Sequence, residues 1–143
     1  MTNYLFDTMI LVAIICQKKV PEKWYCIWQQ IQEKTKKLLL FEPLIAEVFY
    51  QLIKIKQEHF VKQDILKIKG LPCTSIIKLD DNLSFKAGKI HYQSQNISLV
   101  DAFSLCIAER YKAIIFTTDY SLKKSAEKLN IKTSYLPKEE LGY

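Results

Sequence analysis

Short apolar segments alternate along this chain with longer segments in which apolar residues recur at helical spacing. The short segments predict buried strands at 4–6, 38–41, 75–79, 113–116 and 133–136. The longer segments predict helices that begin near Thr8, Pro21 and Pro43, and helices over 60–69, 83–92, 98–111 and 121–129. Strands and helices therefore alternate through the whole sequence.

This alternation predicts the fold class. Strands that alternate with helices pair in parallel and are joined by right-handed crossovers. We therefore expect a three-layer α/β/α sandwich with a central, mostly parallel sheet of four to five strands. Because no internal repeat, Gly/Ser-rich linker or low-complexity tract divides the sequence, residues 1–143 are expected to form a single domain.

The composition is typical of a globular protein, with 49% apolar and 25% charged residues. Its three glycines are widely separated, which excludes the glycine-rich loops that bind phosphates or dinucleotides. The longest apolar run, 9–16, is far shorter than the roughly twenty residues of a membrane-spanning helix. With no basic leader and no metal-type cysteine spacing, we expect a cytoplasmic protein with no membrane partner.

Most acidic residues in this sequence stand near a Lys or Arg, but four have no basic residue within four positions: Asp7, Glu42, Glu47 and Asp101. All but Glu42 have apolar neighbours, and burying a carboxylate among apolar groups is costly unless something compensates its charge. Glu42 precedes a proline and is interpreted as the start of a helix. Asp119, which follows the fourth predicted strand, is a further candidate.

The positions of these acids point to one edge of the sheet. Asp7 and Asp119 follow the first and fourth predicted strands, and open α/β sheets bind ligands at the carboxyl ends of strands where the strand order reverses. Glu47 and Asp101 lie in early turns of predicted helices and can approach the same edge. Clustered carboxylates repel one another, and a hard divalent cation such as Mg²⁺ relieves that repulsion.

Each of these acids also has a structural alternative. Asp7 can cap the following helix, and Ser98 with Asp101 can form a capping box. Glu47 can face solvent, and Asp119 can belong to a turn. For each acid taken singly, the structural role is at least as probable as a functional role. Four acids at one predicted sheet edge together favour a functional site.

Four segments, in order, resemble the motifs of the PIN domain family, the metal-dependent ribonuclease fold of VapC-type toxins and several RNA-processing nucleases. The resemblance covers nearly the whole chain and rests on Tyr-Leu-Phe-Asp7-Thr8, Glu-Pro-Leu-Ile-Ala-Glu47-Val, Ser98-Leu-Val-Asp101-Ala and Ile-Ile-Phe-Thr117-Thr118-Asp119. Two features depart from the toxin pattern. Thr118 stands where VapC toxins often have an Arg, and the stretch after the last motif lacks the common toxin Phe.

The resemblance implies hydrolysis of RNA phosphodiester bonds with Mg²⁺ or Mn²⁺ as cofactor. In this interpretation the metal ligands are Asp7, Asp101 and Asp119. Glu47 is a further ligand or orients the attacking water, while Thr8 and Thr117 hold the carboxylates through hydrogen bonds. A VapC-like toxin would also have a cognate antitoxin whose segment occupies the crevice, and the family typically forms homodimers. The helix with the two tryptophans can pack in the core or at an interface.

RNA would be held mainly by lysines around the crevice. The chain has 21 Lys and Arg against 15 Asp and Glu, a net charge of +6, which favours a polyanionic partner without identifying it. Lys123 and Lys124, just after the last motif, are the first candidates, although either can belong to a solvated helix face. Tyr50, Tyr92 and Tyr120 can stack on bases or serve only in packing.

Three other functions are alternatives to a VapC-like toxin. One is an RNA-processing PIN nuclease outside toxin-antitoxin systems, and another is a PIN scaffold that binds RNA or protein without catalysis. The third is phospho-aspartate chemistry, as in receiver domains or haloacid-dehalogenase-like phosphatases. The phosphatases have Asp-x-Asp after the first strand, whereas this chain has Asp7-Thr8-Met9. The phospho-aspartate interpretation is therefore the weakest.

Overall fold

The computed structural model describes residues 1–141, in which five strands form one sheet. The strands are β1 (Asn3–Phe6), β2 (Lys37–Leu40), β3 (Thr74–Ile76), β4 (Ile114–Thr117) and β5 (Thr133–Tyr135). Their order is β3-β2-β1-β4-β5, and each neighbouring pair is parallel. The strand order therefore reverses between β1 and β4.

Helices connect the strands on both sides of this sheet. The described helices are α1 (Thr8–Ile15), α2 (Glu22–Gln32), α3 (Glu42–Ile53), α4 (Glu58–Lys69), α5 (Asp81–Gln93), α6 (Leu99–Tyr111), α7 (Tyr120–Lys128) and a 3₁₀ helix, Lys138–Leu141. α1 contacts α3 and α3 contacts α4, whereas α6 contacts both α5 and α7. Because crossovers between parallel strands are right-handed, α1–α4 cover one face and α5–α7 cover the other. The predicted α/β/α sandwich is confirmed.

The two central strands are apolar at consecutive positions because helices cover both of their faces. The Phe6 and Phe116 rings stack across β1 and β4 with centroids 5.1 Å apart, and Trp24 of α2 stacks on Phe116 at 5.3 Å. The Trp24 indole Nε1 donates a hydrogen bond of 2.7 Å to Ser134 Oγ. Trp24 is therefore a core residue, and Trp28 is partly buried against the same cluster. None of the helices within residues 1–141 is long and apolar enough to cross a membrane.

The predicted order of elements is correct, but three predicted strands extend too far, the fifth by a single residue beyond Tyr135. The third was predicted over 75–79, yet β3 ends at Ile76. Its partner β2 ends at Leu40. The hydrogen bond of 2.7 Å from Ile77 N to Leu40 O is therefore the last one between these two segments among the described residues. The second predicted strand included Phe41, which instead is the N-cap residue of α3. In both cases the start of α3 ends the pairing.

The buried aromatic cluster should determine much of the stability. We expect Phe6→Ala to lower the free energy of unfolding by about 3–5 kcal/mol, because it leaves a cavity between β4 and α2. Urea denaturation measures this change. Phe85→Ala is the matched control, since that ring is 75% exposed on α5, and it should change stability by less than about 0.5 kcal/mol. Equal effects of the two variants would contradict a central role for Phe6.

Candidate active site

Four acidic side chains line one cleft at the carboxyl ends of β1 and β4. Asp7 directly follows β1, and Asp119 is the second residue after β4 ends. Glu47 lies in the second turn of α3, and Asp101 lies in the first turn of α6. Because the strand order reverses between β1 and β4, the connections from these strands diverge and leave a cleft. The structure thus brings together the four acids that the sequence made candidates for a site, and Glu42 is not among the described lining residues.

Two threonines connect three of these acids through hydrogen bonds. Thr117 Oγ1 donates to Asp7 Oδ2 at 2.8 Å and accepts from Asp119 N at 2.9 Å. Thr8 Oγ1 donates to Glu47 Oε2 at 2.8 Å, and Thr8 N donates to Asp7 Oδ1 at 2.8 Å. Both threonines are buried. Their hydroxyl groups therefore orient the carboxylates of Asp7 and Glu47 and hold the backbone of Asp119.

Asp7 and Asp119 act as helix caps and also line the cleft. Asp7 is the N-cap residue of α1, and its backbone N–H donates to Phe116 O at 2.9 Å, which continues the pairing of β1 with β4. Asp119 caps α7, because its Oδ1 accepts from Ser121 N at 2.8 Å and from Leu122 N at 3.3 Å. The capping and site interpretations of these residues are therefore compatible.

Asp101 makes only part of the capping box that its sequence suggested. Ser98 caps α6, since its Oγ accepts from Asp101 N at 3.0 Å. Within residues 1–141 Ser98 N donates no hydrogen bond to the Asp101 carboxylate, which a capping box would require. The Asp101 side chain is 7% exposed and lies in the cleft wall instead. Capping alone does not account for a carboxylate at this position.

Burial raises the pKa of two of these carboxyl groups. Loss of hydration raises the pKa of Asp7 to about 6; the threonine hydrogen bonds oppose this rise, and the charges of Asp119 and Glu47 add to it. Loss of hydration is also the largest cause for Asp101, and repulsion by the other three acids helps to raise its pKa to about 8. At neutral pH, Asp101 therefore favours the protonated form while the cleft holds no cation.

The chemistry of the cleft suits a hard divalent cation, which prefers oxygen ligands. The recorded ion pairs within residues 1–141 involve other acids, so none of them neutralises the four cleft carboxylates. A formed metal site would need at least three acidic, cysteine or histidine side chains close enough to hold one ion, and residues 1–141 contain no such group. The carboxylates therefore supply suitable ligands but would have to move closer together to bind a metal.

The family model for the PIN domain matches residues 4–128 of this sequence. The chain belongs to the PIN domain family. That match includes all four acids and both buried threonines, so the resemblance seen in the sequence motifs is confirmed. No curated protein matches the sequence at a significant level.

Solved structures with the same fold include chains of two VapBC proteins. A chain of VapBC2 from Rickettsia felis, bound to a DNA fragment from their promoter, has a TM-score of 0.70 and 17% identity; 94% of this chain and 98% of that chain are covered. A chain of VapBC-1 from nontypeable Haemophilus influenzae has a TM-score of 0.59 and 12% identity, with the same coverage. PAE2754 from Pyrobaculum aerophilum has a TM-score of 0.59 and 15% identity over 90% and 92% of the two chains.

The remaining sequence candidates lie at or outside the edge of the cleft. Tyr120 lines it, whereas Tyr50 and Tyr92 are exposed and are not among its described lining residues. Lys123 and Lys124 both form ion pairs with Glu127, at 3.3 and 3.8 Å, and are described below. Glu42 is the first residue of α3, as interpreted. Its carboxylate forms an ion pair of 3.0 Å with Lys69, which is 27 positions away and so lies outside the four-residue window used to compare acids with their neighbours.

Sequence reasoning missed three residues of the cleft wall: Met9, Gln51 and Lys138. Gln51 lies one helical turn after Glu47, so helical spacing could have indicated it. Lys138 stands in a polar stretch beside two glutamates, which is typical of an ordinary surface segment. No local pattern could have placed it at the cleft, because its position depends on the path of the chain after β5.

The raised pKa of Asp101 makes stability depend on pH. Its carboxyl has a pKa of about 8 in the folded protein against an ordinary value of 3.8. Between these values the folded protein holds a proton that the unfolded chain has released, so stability falls as the pH rises. We expect metal-free Asp101→Asn to be more stable than the wild type at pH 8 by more than about 1 kcal/mol, since one pKa unit corresponds to about 1.4 kcal/mol.

Urea denaturation in EDTA at pH 5 and pH 8 measures this difference. The advantage of Asp101→Asn should be smaller at pH 5, where the wild-type carboxyl is protonated in the folded state. Asp81→Asn, at an exposed acid of α5, is the control and should show the same small effect at both pH values. A loss of stability in Asp101→Asn at pH 8 would contradict the repulsion described here.

Proposed function

We propose that this PIN domain is a Mg²⁺- or Mn²⁺-dependent endoribonuclease and the toxin of a VapBC-type toxin-antitoxin pair. The observation that carries the proposal is the cleft, where four carboxylates with no recorded ion pair within residues 1–141 meet at the carboxyl ends of β1 and β4. Keeping several acids together in a partly buried site is costly for stability. A site that binds a cation for phosphodiester chemistry accounts for that cost.

In this proposal Asp7, Asp101 and Asp119 are the metal ligands, and Glu47 is a further ligand or orients the attacking water. A bound divalent ion would lower the pKa of a water molecule and stabilise negative charge on the scissile phosphate. Thr117 and Thr8 would keep the carboxylate oxygens oriented through the hydrogen bonds already present.

The acidic cleft must also accept a polyanion. Lys138 in the cleft wall and the lysines of α7 at its edge would attract RNA phosphates, in keeping with the net charge of +6. Binding that depends on such contacts should weaken as salt increases.

Metal binding provides the first test. Calorimetric titration with Mn²⁺ should show saturable binding to the wild type, and Asp101→Asn should weaken it by at least about tenfold, the smallest effect typical of groups that support metal ligands. Asp81→Asn should bind Mn²⁺ like the wild type.

The same three proteins should then be incubated with a degenerate single-stranded RNA pool, which avoids assuming a target. We expect Mn²⁺-dependent cleavage that EDTA and Asp101→Asn both suppress.

Two results would contradict the nuclease proposal. One is Mn²⁺ binding that Asp101→Asn leaves unchanged, because the cleft would then not be the metal site. The other is a wild type that binds Mn²⁺ but leaves the RNA pool intact, which would favour a scaffold that retains its metal ligands.

The toxin assignment is supported by the shared fold with chains of VapBC2 and VapBC-1. It implies an antitoxin, a segment of which would occupy the cleft and could present a basic side chain to the carboxylates. It also implies a homodimer, which sedimentation of the purified protein would detect.

Growth of a bacterial host after induced expression tests the toxin role. We expect the wild type and Asp81→Asn to arrest growth and Asp101→Asn to permit it, because only the last variant removes a proposed metal ligand. Growth that is normal with the wild type, combined with RNA cleavage in vitro, would contradict the toxin assignment and favour an RNA-processing nuclease.

A further inference from the structure

Tyr120 is an exposed aromatic residue in the wall of the acidic cleft. Its side chain is 55% exposed, although a tyrosine ring ordinarily gains stability by burial. It is the first residue of α7 and directly follows Asp119, whose Oδ1 caps that helix. The position of the ring is therefore tied through the backbone to one of the proposed metal ligands.

A second tyrosine supports this ring from the side. Tyr135, in the edge strand β5, meets Tyr120 in an edge-to-face arrangement with centroids 5.9 Å apart and an interplanar angle of 68°. Such a pair is a favourable geometry for two aromatic quadrupoles. Tyr120 thus has a preferred orientation while more than half of its surface stays in contact with solvent.

Two lysines of α7 place their ammonium groups over these rings in cation–π contact. Lys123 Nζ is 5.6 Å from the Tyr120 centroid and 5.5 Å from the Tyr135 centroid, and Lys124 Nζ is 5.9 Å from the Tyr120 centroid. Both ammonium groups share one carboxylate, that of Glu127. Two positive charges against one negative charge leave the patch positive beside an acidic cleft.

An aromatic face combined with a positive charge is the arrangement that binds single-stranded nucleic acid. Bases stack on the aromatic ring, and lysines attract the adjacent phosphates. Tyr25 and Tyr50 are exposed to a similar extent, 51% and 56%, but they are not among the described lining residues of the cleft. Tyr120 alone of these three is placed to contact a nucleotide whose phosphate reaches the carboxylates.

We propose that Tyr120 stacks on an unpaired nucleobase next to the scissile phosphate, with Tyr135 supporting the ring and Lys123 attracting a neighbouring phosphate. The identity of the ligand as RNA rests on the proposed function. Because both faces of a base inside a duplex are covered by neighbouring bases, this contact selects single-stranded RNA. Stacking accepts every base, so the contact positions the strand without reading its sequence.

Fluorescence anisotropy with a labelled adenine octaribonucleotide tests the stacking contact. Ca²⁺ is present because it shares the preference of Mg²⁺ for oxygen ligands. We expect Tyr120→Leu, which keeps an apolar side chain but removes the ring, to weaken binding by about tenfold. Tyr120→Phe should bind like the wild type, since the ring remains. Tyr25→Leu is the matched control, with similar exposure outside the cleft wall, and should leave binding unchanged.

A base-free oligonucleotide of the same length separates stacking from phosphate attraction. It should bind more weakly than the octaribonucleotide to the wild type, and equally to the wild type and Tyr120→Leu. The proposal is overturned if Tyr120→Leu binds the octaribonucleotide as tightly as the wild type does. It is also overturned if Tyr120→Leu loses the same factor with the base-free strand, because the effect would then come from the backbone contacts or the fold.

Mn²⁺ titration distinguishes this proposal from the proposed nuclease function. Tyr120→Leu should bind Mn²⁺ like the wild type, because the ring supplies no metal ligand. On a cleaved single strand it should raise KM more than it lowers kcat. If Tyr120→Leu binds the octaribonucleotide as tightly as the wild type does, and both proteins bind Mn²⁺ and cleave RNA, the stacking contact alone is rejected. Ring-dependent binding in a protein that neither binds Mn²⁺ nor cleaves RNA would reject the nuclease function alone.

Discussion

The hydrogen bond from Thr117 to Asp7 joins the two strands between which the order of the sheet reverses. Thr117 is the last residue of β4, and its hydroxyl also accepts from Asp119 N. One buried side chain thereby orients the carboxylate that follows β1 and the backbone of the acid that follows β4. The geometry of the cleft depends on this contact, because α1 and α7 both begin at the residues it holds.

The same arrangement explains why the acids can remain close together without a cation. Each carboxylate at the strand ends also accepts hydrogen bonds from backbone N–H groups at a helix start, where negative charge is favourable. Asp101 receives no backbone contact of this kind from the described residues; a hydrogen bond with the Ser98 side chain lowers its pKa, yet it has the higher of the two raised pKa values. The least compensated acid is therefore the one that holds its proton most strongly, and its charge is the one a cation would change most.

The fold was largely predictable because its information is local. Alternating apolar segments determined the order of all elements, and the parallel pairing followed from the helices between the strands. The errors occurred where an element ended because of its neighbour, as when the start of α3 at Glu42 shortened β2 and β3. Strand length at a sheet edge depends on the partner strand, which a local pattern does not contain.

The candidate site was predictable only where its residues stand out from their own neighbours. Asp7, Glu47 and Asp101 were found because no lysine or arginine is near them in sequence, and the structure adds no recorded ion pair to them within residues 1–141. Glu42 passed the same test and still pairs with Lys69, because a helix pair brings distant residues together. Lys138 reaches the cleft, and Tyr135 reaches Tyr120, through tertiary contacts. Three of the four proposed metal ligands are thus visible as local exceptions, whereas the residues proposed to hold the rest of the substrate are brought to the cleft by tertiary structure.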